Sequence, residues 1–429
     1  MKHKLIISLL LLSGPLVLNG CSVSSETASE ESSEPAVTDT TAETETTVTE
    51  TTRRPPEDYV HGEDGYYCLK DEMPEFKMEN QIGGTCWLYA GTASMESAYC
   101  QEYGRYMKID PMNLLDIIYL NEKEDGFILQ EHISGRDTGG WQWMITETLS
   151  RGFGDLTIDS TVILDETDRK AIQENIRTRG AVAVELPDTD DSKKAVHGMY
   201  YTMNDTESGT FDHDIAVIGW DDHFPKEYFN EPAEEDGAWI TYNSGFSANK
   251  YYYVSYCTPF GYALSHRVTD QYGEVLSYDA GTEEDTIIRT GDSTKTANVF
   301  HKTGRLAAVG TYNHFDTQDI RIEIYDSSFT DLLYAQDAVL DYHGYHTVKL
   351  SEPVDVTDYA IVITYSKGAP VEGETNDYDG IVYTTFSESG ESFVYADGWK
   401  DVTDADIKEV LGINFNPNNC CIKALYAKE

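Results

Sequence analysis

Asn80-Gln81-Ile82-Gly83-Gly84-Thr85-Cys86-Trp87-Leu88-Tyr89-Ala90 decides how the rest of this chain is read. A glycine-rich turn runs straight into a helical pattern, with Leu88, Thr92, Met95 and Tyr99 on one face and Gly104 as the stop. The spacing predicts an amphipathic helix that begins at Cys86. A cysteine there meets the unpaired amides and positive dipole end of the helix, which stabilise a thiolate.

Working outward, Trp141 to Leu149 and Asp168 to Arg179 read as two further helices, and Ala181 to Val184 as a buried strand. Phe211-Asp212-His213-Asp214-Ile215-Ala216-Val217-Ile218 is an apolar strand with a histidine at its start. Ala238 to Gly245 is another strand, ending at Asn243, and Lys250 to Tyr256 is an aromatic one. Thiol catalysis needs a nucleophile, an imidazole to pair with it, a group that orients the imidazole, and an oxyanion donor. Gln81, Cys86, His213 and Asn243 supply those types in that order.

The set Gln-x-x-Gly-x-Cys-Trp, then His, then Asn resembles the papain and cathepsin family of cysteine peptidases. The resemblance implies Cys86 as nucleophile, His213 as acid and base, Asn243 as its orienting partner and Gln81 as the oxyanion side chain. Gly219-Trp220-Asp221-Asp222 is similar to a bacterial and archaeal branch that carries a C-terminal lectin-like β domain. Ala297-Asn298-Val299-Phe300 and Gly344-Tyr345-His346-Thr347-Val348 resemble such a domain. Three departures stand out. Gln81 and Cys86 are one residue closer than in the family, so the oxyanion turn must be remodelled. The family's Asn-Ser-Trp-Gly is Asn243-Ser244-Gly245-Phe246 here, which removes the indole that shields the Asn–His bond unless Phe246 replaces it. Asp214 stands where a small residue is usual, and a carboxylate facing His213 would favour the imidazolium.

Ahead of the motif, Lys2 and Lys4 precede an apolar run from Leu5 to Leu18, which ends in Leu18-Asn19-Gly20-Cys21. That end resembles a lipoprotein signal, with Cys21 as the lipidated residue. Ser22 to Thr52 holds no aromatic and no basic residue and cannot build a core, so it reads as an extended tether. Glu57 to Glu79 lacks the length and periodicity of an inhibitory helical propeptide, and activity without an activating cleavage is expected.

After about Tyr278 short alternating strands follow one another: Ile320 to Ile324, Tyr345 to Lys349, Tyr359 to Tyr365, Ile381 to Phe386 and Ser392 to Tyr395. They predict a β-sandwich. The 429 residues carry 76 acidic against 31 basic side chains, a formal charge of -45, which argues against a nucleic-acid partner. None of the seven cysteines has a C-x-x-C partner. His301, His343 and His346 are not read as metal ligands, and Asp188, Asp190 and Asp191, like Glu283 to Asp285, are read as solvated loop charge.

The expected architecture is α+β: a two-lobed papain-like cysteine peptidase domain over residues 57–280, then an all-β, lectin-like sandwich over 281–429. Residues 1–21 are the signal and 22–56 the tether. The expected function is extracytoplasmic, lipid-anchored hydrolysis of protein or peptide bonds through a thioester, with no metal or cofactor. The membrane is reached through the lipid anchor, and a surface glycan or a protein is the ligand class left for the sandwich. A cell-surface adhesion protein with a degenerate peptidase unit is the alternative.

Overall fold

The helix that carries Cys86 runs from Cys86 to Tyr103 and ends where Gly104 turns left-handed at φ 63°, its amide donating to the Cys100 carbonyl (2.9 Å). It is not the amphipathic helix that the spacing predicts. Every residue from Cys86 to Tyr99 is buried. The face opposite Leu88 and Met95 is built from Ala90, Ala93, Ser94 and Ser97, small enough to lie flat on the strands Phe211–Asp221 and Ala263–Thr269. The helix Arg169–Arg179 starts at Asp168, whose side chain accepts from the Ala171 amide (3.0 Å).

The computed structural model describes residues 59–119, 125–129, 133–152, 156–187, 194–197, 200–206, 210–229, 231–245, 251–282, 286–374, 376–378 and 381–428. The signal, Cys21, the tether, Phe246 and the acidic stretches 188–191 and 283–285 lie outside them. Among the described residues no helix is long and apolar enough to cross a membrane.

One thirteen-stranded sheet runs through both units. In its peptidase half, Thr157–Leu164 pairs with Ala263–Thr269, which pairs with Val182–Pro187, which pairs with the His213 strand, Phe211–Asp221. That strand pairs in turn with Ala238–Tyr242, at whose end Asn243 sits. In the other half, Gly344–Val356, Gly304–Asn313 and Lys423–Ala427 continue the same sheet. The join is antiparallel, with Gly344 opposite Val162, Tyr345 opposite Thr161 and His346 opposite Ser160.

A six-stranded sheet closes the sandwich, in the order Leu332–Leu340, Gln318–Asp326, Tyr359–Tyr365, Thr294–Phe300, Ser392–Tyr395, Trp399–Asp401. Ile320, Ile322 and Ile324 alternate inward and meet Leu306, Val309 and Ala424 of the shared sheet. The sandwich thus borrows one layer from a sheet that also holds the strand of His213 and the strand leading to Asn243. Ile381–Thr384, expected as a sandwich strand, instead pairs with Gly126–Leu129 of the peptidase unit. Residues at the crossing between the units, Asp279, Ala280 and Thr282, are buried, and Asp279 forms a fully buried ion pair with Lys423.

The lead-in is part of the core. Tyr66–Cys68 pairs with Gly219 to Asp221, Phe76 is fully buried, and the Tyr59 hydroxyl donates to Asp221 Oδ2 (2.8 Å).

Gly344 has φ 134°, and a Cβ there would lie 1.9 Å from the Thr161 carbonyl oxygen. Gly344→Ala should therefore destabilise the whole chain by about 3 kcal/mol or more. Denaturant unfolding followed by tryptophan fluorescence checks this, with one shifted transition expected because the sheet is common to both units.

Candidate active site

Cys86 is the first residue of its helix and 6% exposed. The amides at a helix start have no intrahelical carbonyl to bond, so the Cys86 sulfur stands beside donors suited to an anion. The turn ahead of it is pinned from two sides. Thr85 Oγ1 donates to the Ile82 carbonyl (2.9 Å), and the Gly84 amide donates to the Arg136 carbonyl (2.7 Å).

His213 and Asn243 lie on neighbouring strands, and His213 Nε2 is 2.8 Å from Asn243 Oδ1. The Gly245 amide also donates to that atom (3.0 Å), which identifies it as the oxygen. Nε2 must then carry the ring proton, and Nδ1 is the nitrogen left for acid–base work. Asn243 is buried, so the bond that orients the ring is largely out of water.

Gln81 docks on the same corner. Its amide donates to the Ser244 carbonyl (2.9 Å), and its Oε1 accepts from Ser244 Oγ (2.9 Å). Its Nε2 donates to the Gly83 carbonyl (2.8 Å), which leaves one of the two N–H bonds for another acceptor. This is the remodelled turn that the shortened spacing requires. A Cβ placed on Gly245 would lie 3.3 Å from Asn243 Oδ1, 3.3 Å from His213 Cε1 and 3.6 Å from Gln81 Oε1. The structure thus gathers Gln81, His213 and Asn243 around Gly245.

Asp214, next along the strand, is buried and takes a bond from the Tyr262 hydroxyl (2.5 Å). Burial, then the nearby Glu185 carboxylate, push the Asp214 carboxyl up to about 8. At neutral pH it is therefore mostly protonated, and is not the full negative charge beside His213 that the sequence suggested. Glu185, its partner across the strand pair, is pushed up to about 7 by burial and then by Asp212. Tyr262 is held far above the ordinary phenol range, by burial first and then by Asp214, Glu185 and the Cys86 thiol. Cys86 thus shares one electrostatic neighbourhood with Tyr262 and Asp214. Sequence reasoning missed Tyr262, which sits in no motif, and the grip of Ser244 on Gln81, although Ser244 was in view beside Asn243.

Residues 275–426 match the family model described as a lectin-like domain. No curated protein matches the chain in sequence. Among solved structures, the chain is similar to the clostridial cysteine protease Cwp84 after propeptide cleavage, at 15% identity and a TM-score of 0.67. That match covers 85% of this chain and 99% of the other. A second similar structure is that of the cysteine protease and lectin-like domains of Cwp84, a surface-layer-associated protein of Clostridium difficile. It gives 14% identity and a TM-score of 0.67, over 86% of this chain and 90% of that one. The fold is that of a papain-like cysteine peptidase joined to a lectin-like β domain.

The buried acids predict a pH dependence. Because the folded-state value for Asp214 lies above that of a free carboxyl, its proton stabilises the fold fully below about pH 4. That contribution is lost as pH rises through about 8. Asp214→Asn keeps the shape without the titration. Its melting temperature should fall less than that of the wild type between pH 5 and pH 9, as read by thermal melts across that range.

Proposed function

We propose that this chain is an extracytoplasmic, lipid-anchored cysteine peptidase that hydrolyses protein or peptide substrates through a thioester at Cys86. The observation that carries the reading is the bond from His213 Nε2 to a buried Asn243 oxygen, with a cysteine leading the adjacent helix. In that geometry Nδ1 of His213 takes the thiol proton. The Cys86 sulfur attacks the peptide carbonyl carbon, and the oxyanion is met by the Cys86 amide and the remaining N–H of Gln81. His213 then gives its proton to the departing amine, and water enters by the same base to release the acid. Cys86, His213, Asn243 and Gln81 are the residues assigned to these roles.

Support for the location comes from Lys2, Lys4, the apolar run and Cys21. Cwp84, described as surface-layer-associated, is consistent with it. The lead-in from Tyr59 packs into the core, which supports activity without a cut between Glu57 and Glu79: such a cut would remove core residues rather than uncover a cleft. The boundary between the two domains is placed near residue 280. A glycan or a protein is the ligand class proposed for the sandwich, on the strength of the lectin-like match.

The adhesion reading draws on two details: the bond of Gln81 Nε2 to Gly83 and the missing side chain at Gly245. Rapid labelling of Cys86 by a thiol reagent at neutral pH favours the enzyme, and sluggish labelling favours the binder.

Cleavage of a peptide library by the purified ectodomain, abolished by Cys86→Ala with little change in melting temperature, is the expected result. Turnover retained in that variant overturns the peptidase assignment. For the anchor, Cys21→Ser should release the protein or leave its signal uncleaved. Unchanged mobility and membrane association of that variant would place the anchor elsewhere.

A further inference from the structure

We propose that Gln142 is a positioning residue, whose buried amide fixes the start of the Cys86 helix against the strand Ala263–Thr269 and so holds Cys86 in register with His213. The proposal rests on Cys86 and His213 being the catalytic couple.

Gln142 opens the helix Gln142–Leu149 and is 1% exposed. Its Nε2 donates to the carbonyl of Trp87, the residue directly after the nucleophile, at 2.6 Å. The side chain thus reaches the first turn of the Cys86 helix one residue beyond the nucleophile.

The amide is itself held from behind. Gln142 Oε1 lies 3.1 Å from Nε2 of His266, in the strand Ala263–Thr269. An amide oxygen can only accept, so His266 Nε2 must carry the proton. Its Nδ1 then accepts from one of the hydroxyls of Thr161 (3.2 Å) and Thr146 (3.4 Å), which are bonded to each other at 2.8 Å. His266 is fully buried, and burial pushes its imidazole down to about 3, so it stays neutral and keeps this tautomer. The His266 amide donates to Ser94 Oγ on the Cys86 helix (2.9 Å), which ties the relay to that helix a second time. The helix leaves room for Gln142 by carrying glycine at position 91, where a Cβ would lie 2.8 Å from Gln142 Oε1 and 2.3 Å from Ile145 Cδ1.

Satisfying the backbone does not require this arrangement. Within a helix, the Trp87 carbonyl has a partner four residues on, at Gly91. Burying an amide and an imidazole gains little stability over apolar packing of the same volume, and costs heavily if any partner is lost. What the network adds is geometric: the first turn of the Cys86 helix is tied through one rigid amide to His266 in the sheet that also contains the His213 strand. Catalytic couples are sensitive to this, since a misplacement of about 1 Å can cost on the order of 100-fold in rate.

Two variants of the full ectodomain test the proposal. Gln142→Met keeps the volume and removes both donors. Gln142→Glu resembles the amide only while its carboxyl is protonated, with one donor and one acceptor. Each is assayed for kcat and KM on a cleaved peptide, and for the pH dependence of Cys86 alkylation by iodoacetamide without substrate. For Gln142→Met, kcat should fall at least roughly tenfold with KM nearly unchanged, and the acid-side midpoint of alkylation should move upward. For Gln142→Glu, kcat relative to wild type should fall as pH rises through the titration of the new carboxyl. A purely structural role would not produce that pH-dependent ratio. If Gln142→Met does not fold, the Gln142→Glu profile decides. Wild-type kcat and an unshifted alkylation curve in Gln142→Met, or a flat ratio in Gln142→Glu, overturn the positioning role and leave the peptidase reading standing. A wild-type protein that cleaves nothing and alkylates slowly overturns the peptidase reading itself.

Discussion

Gly344 with Val162, Tyr345 with Thr161 and His346 with Ser160 carry one sheet from the peptidase unit into the sandwich. Much of the architecture depends on that short ladder. Thr157–Leu164 pairs on its other side with Ala263–Thr269, whose His266 supports the Cys86 helix through Gln142 and Ser94. A strand with partners on both sides has no free edge along its paired length, so strain at the join passes into the catalytic layers. The buried hydrophobic cluster around Trp87 and Leu88 likewise includes Tyr312, Tyr345 and Tyr383 from the other unit. The lectin-like unit is therefore part of the packing that holds the Cys86 helix, and not an appendage on a linker.

The electrostatics follow from the same burial. The formal charge of -45 counts every carboxylate as ionised. Asp214 and Glu185, pressed together in register on adjacent strands, are pushed well up, and Glu372 is also raised by burial. Each of these groups holds its proton where a surface acid would lose it. The ground around Cys86 and His213 is thus closer to neutral than the composition implies.

The site was more legible than the fold around it. Gln81, Cys86, His213 and Asn243 stand out in the sequence because each proposed role demands one residue type, and because Cys86, His213 and Asn243 lie at or near the ends of elements with a strong local pattern. The helices Arg169–Arg179 and Gln142–Leu149 were legible for the same local reasons, with Asp168 as cap and Gly180 as stop. The shared sheet was not. Thr157–Leu164 reads as an unremarkable polar-apolar mixture, and its partners in sequence lie about a hundred residues and nearly two hundred residues away. Local pattern holds no record of such pairings. The amphipathic reading of the Cys86 helix failed because small and hydroxylated residues count as a polar face on a helical wheel, yet can be packed against a sheet as closely as alanine. Ile381–Thr384 looked like one more sandwich strand because alternation reports two unequal faces, and says nothing about which neighbour a strand takes.

Two of the three departures from the family motif, the short Gln81–Cys86 spacing and the glycine at 245, can be understood as a single rearrangement. Shortening the Gln81–Cys86 spacing draws Gln81 onto Ser244, where backbone and hydroxyl both hold it. Its Oε1 then stands 3.6 Å from the point at which a side chain at position 245 would begin. An indole grown from that point would start among Gln81, His213 and Asn243, in space that the displaced glutamine now borders. Glycine removes the conflict. The backbone amide of residue 245 donates to Asn243 Oδ1 (3.0 Å), a bond that needs no side chain at that position. It fixes which atom of the Asn243 amide meets Nε2, and with it the ring proton.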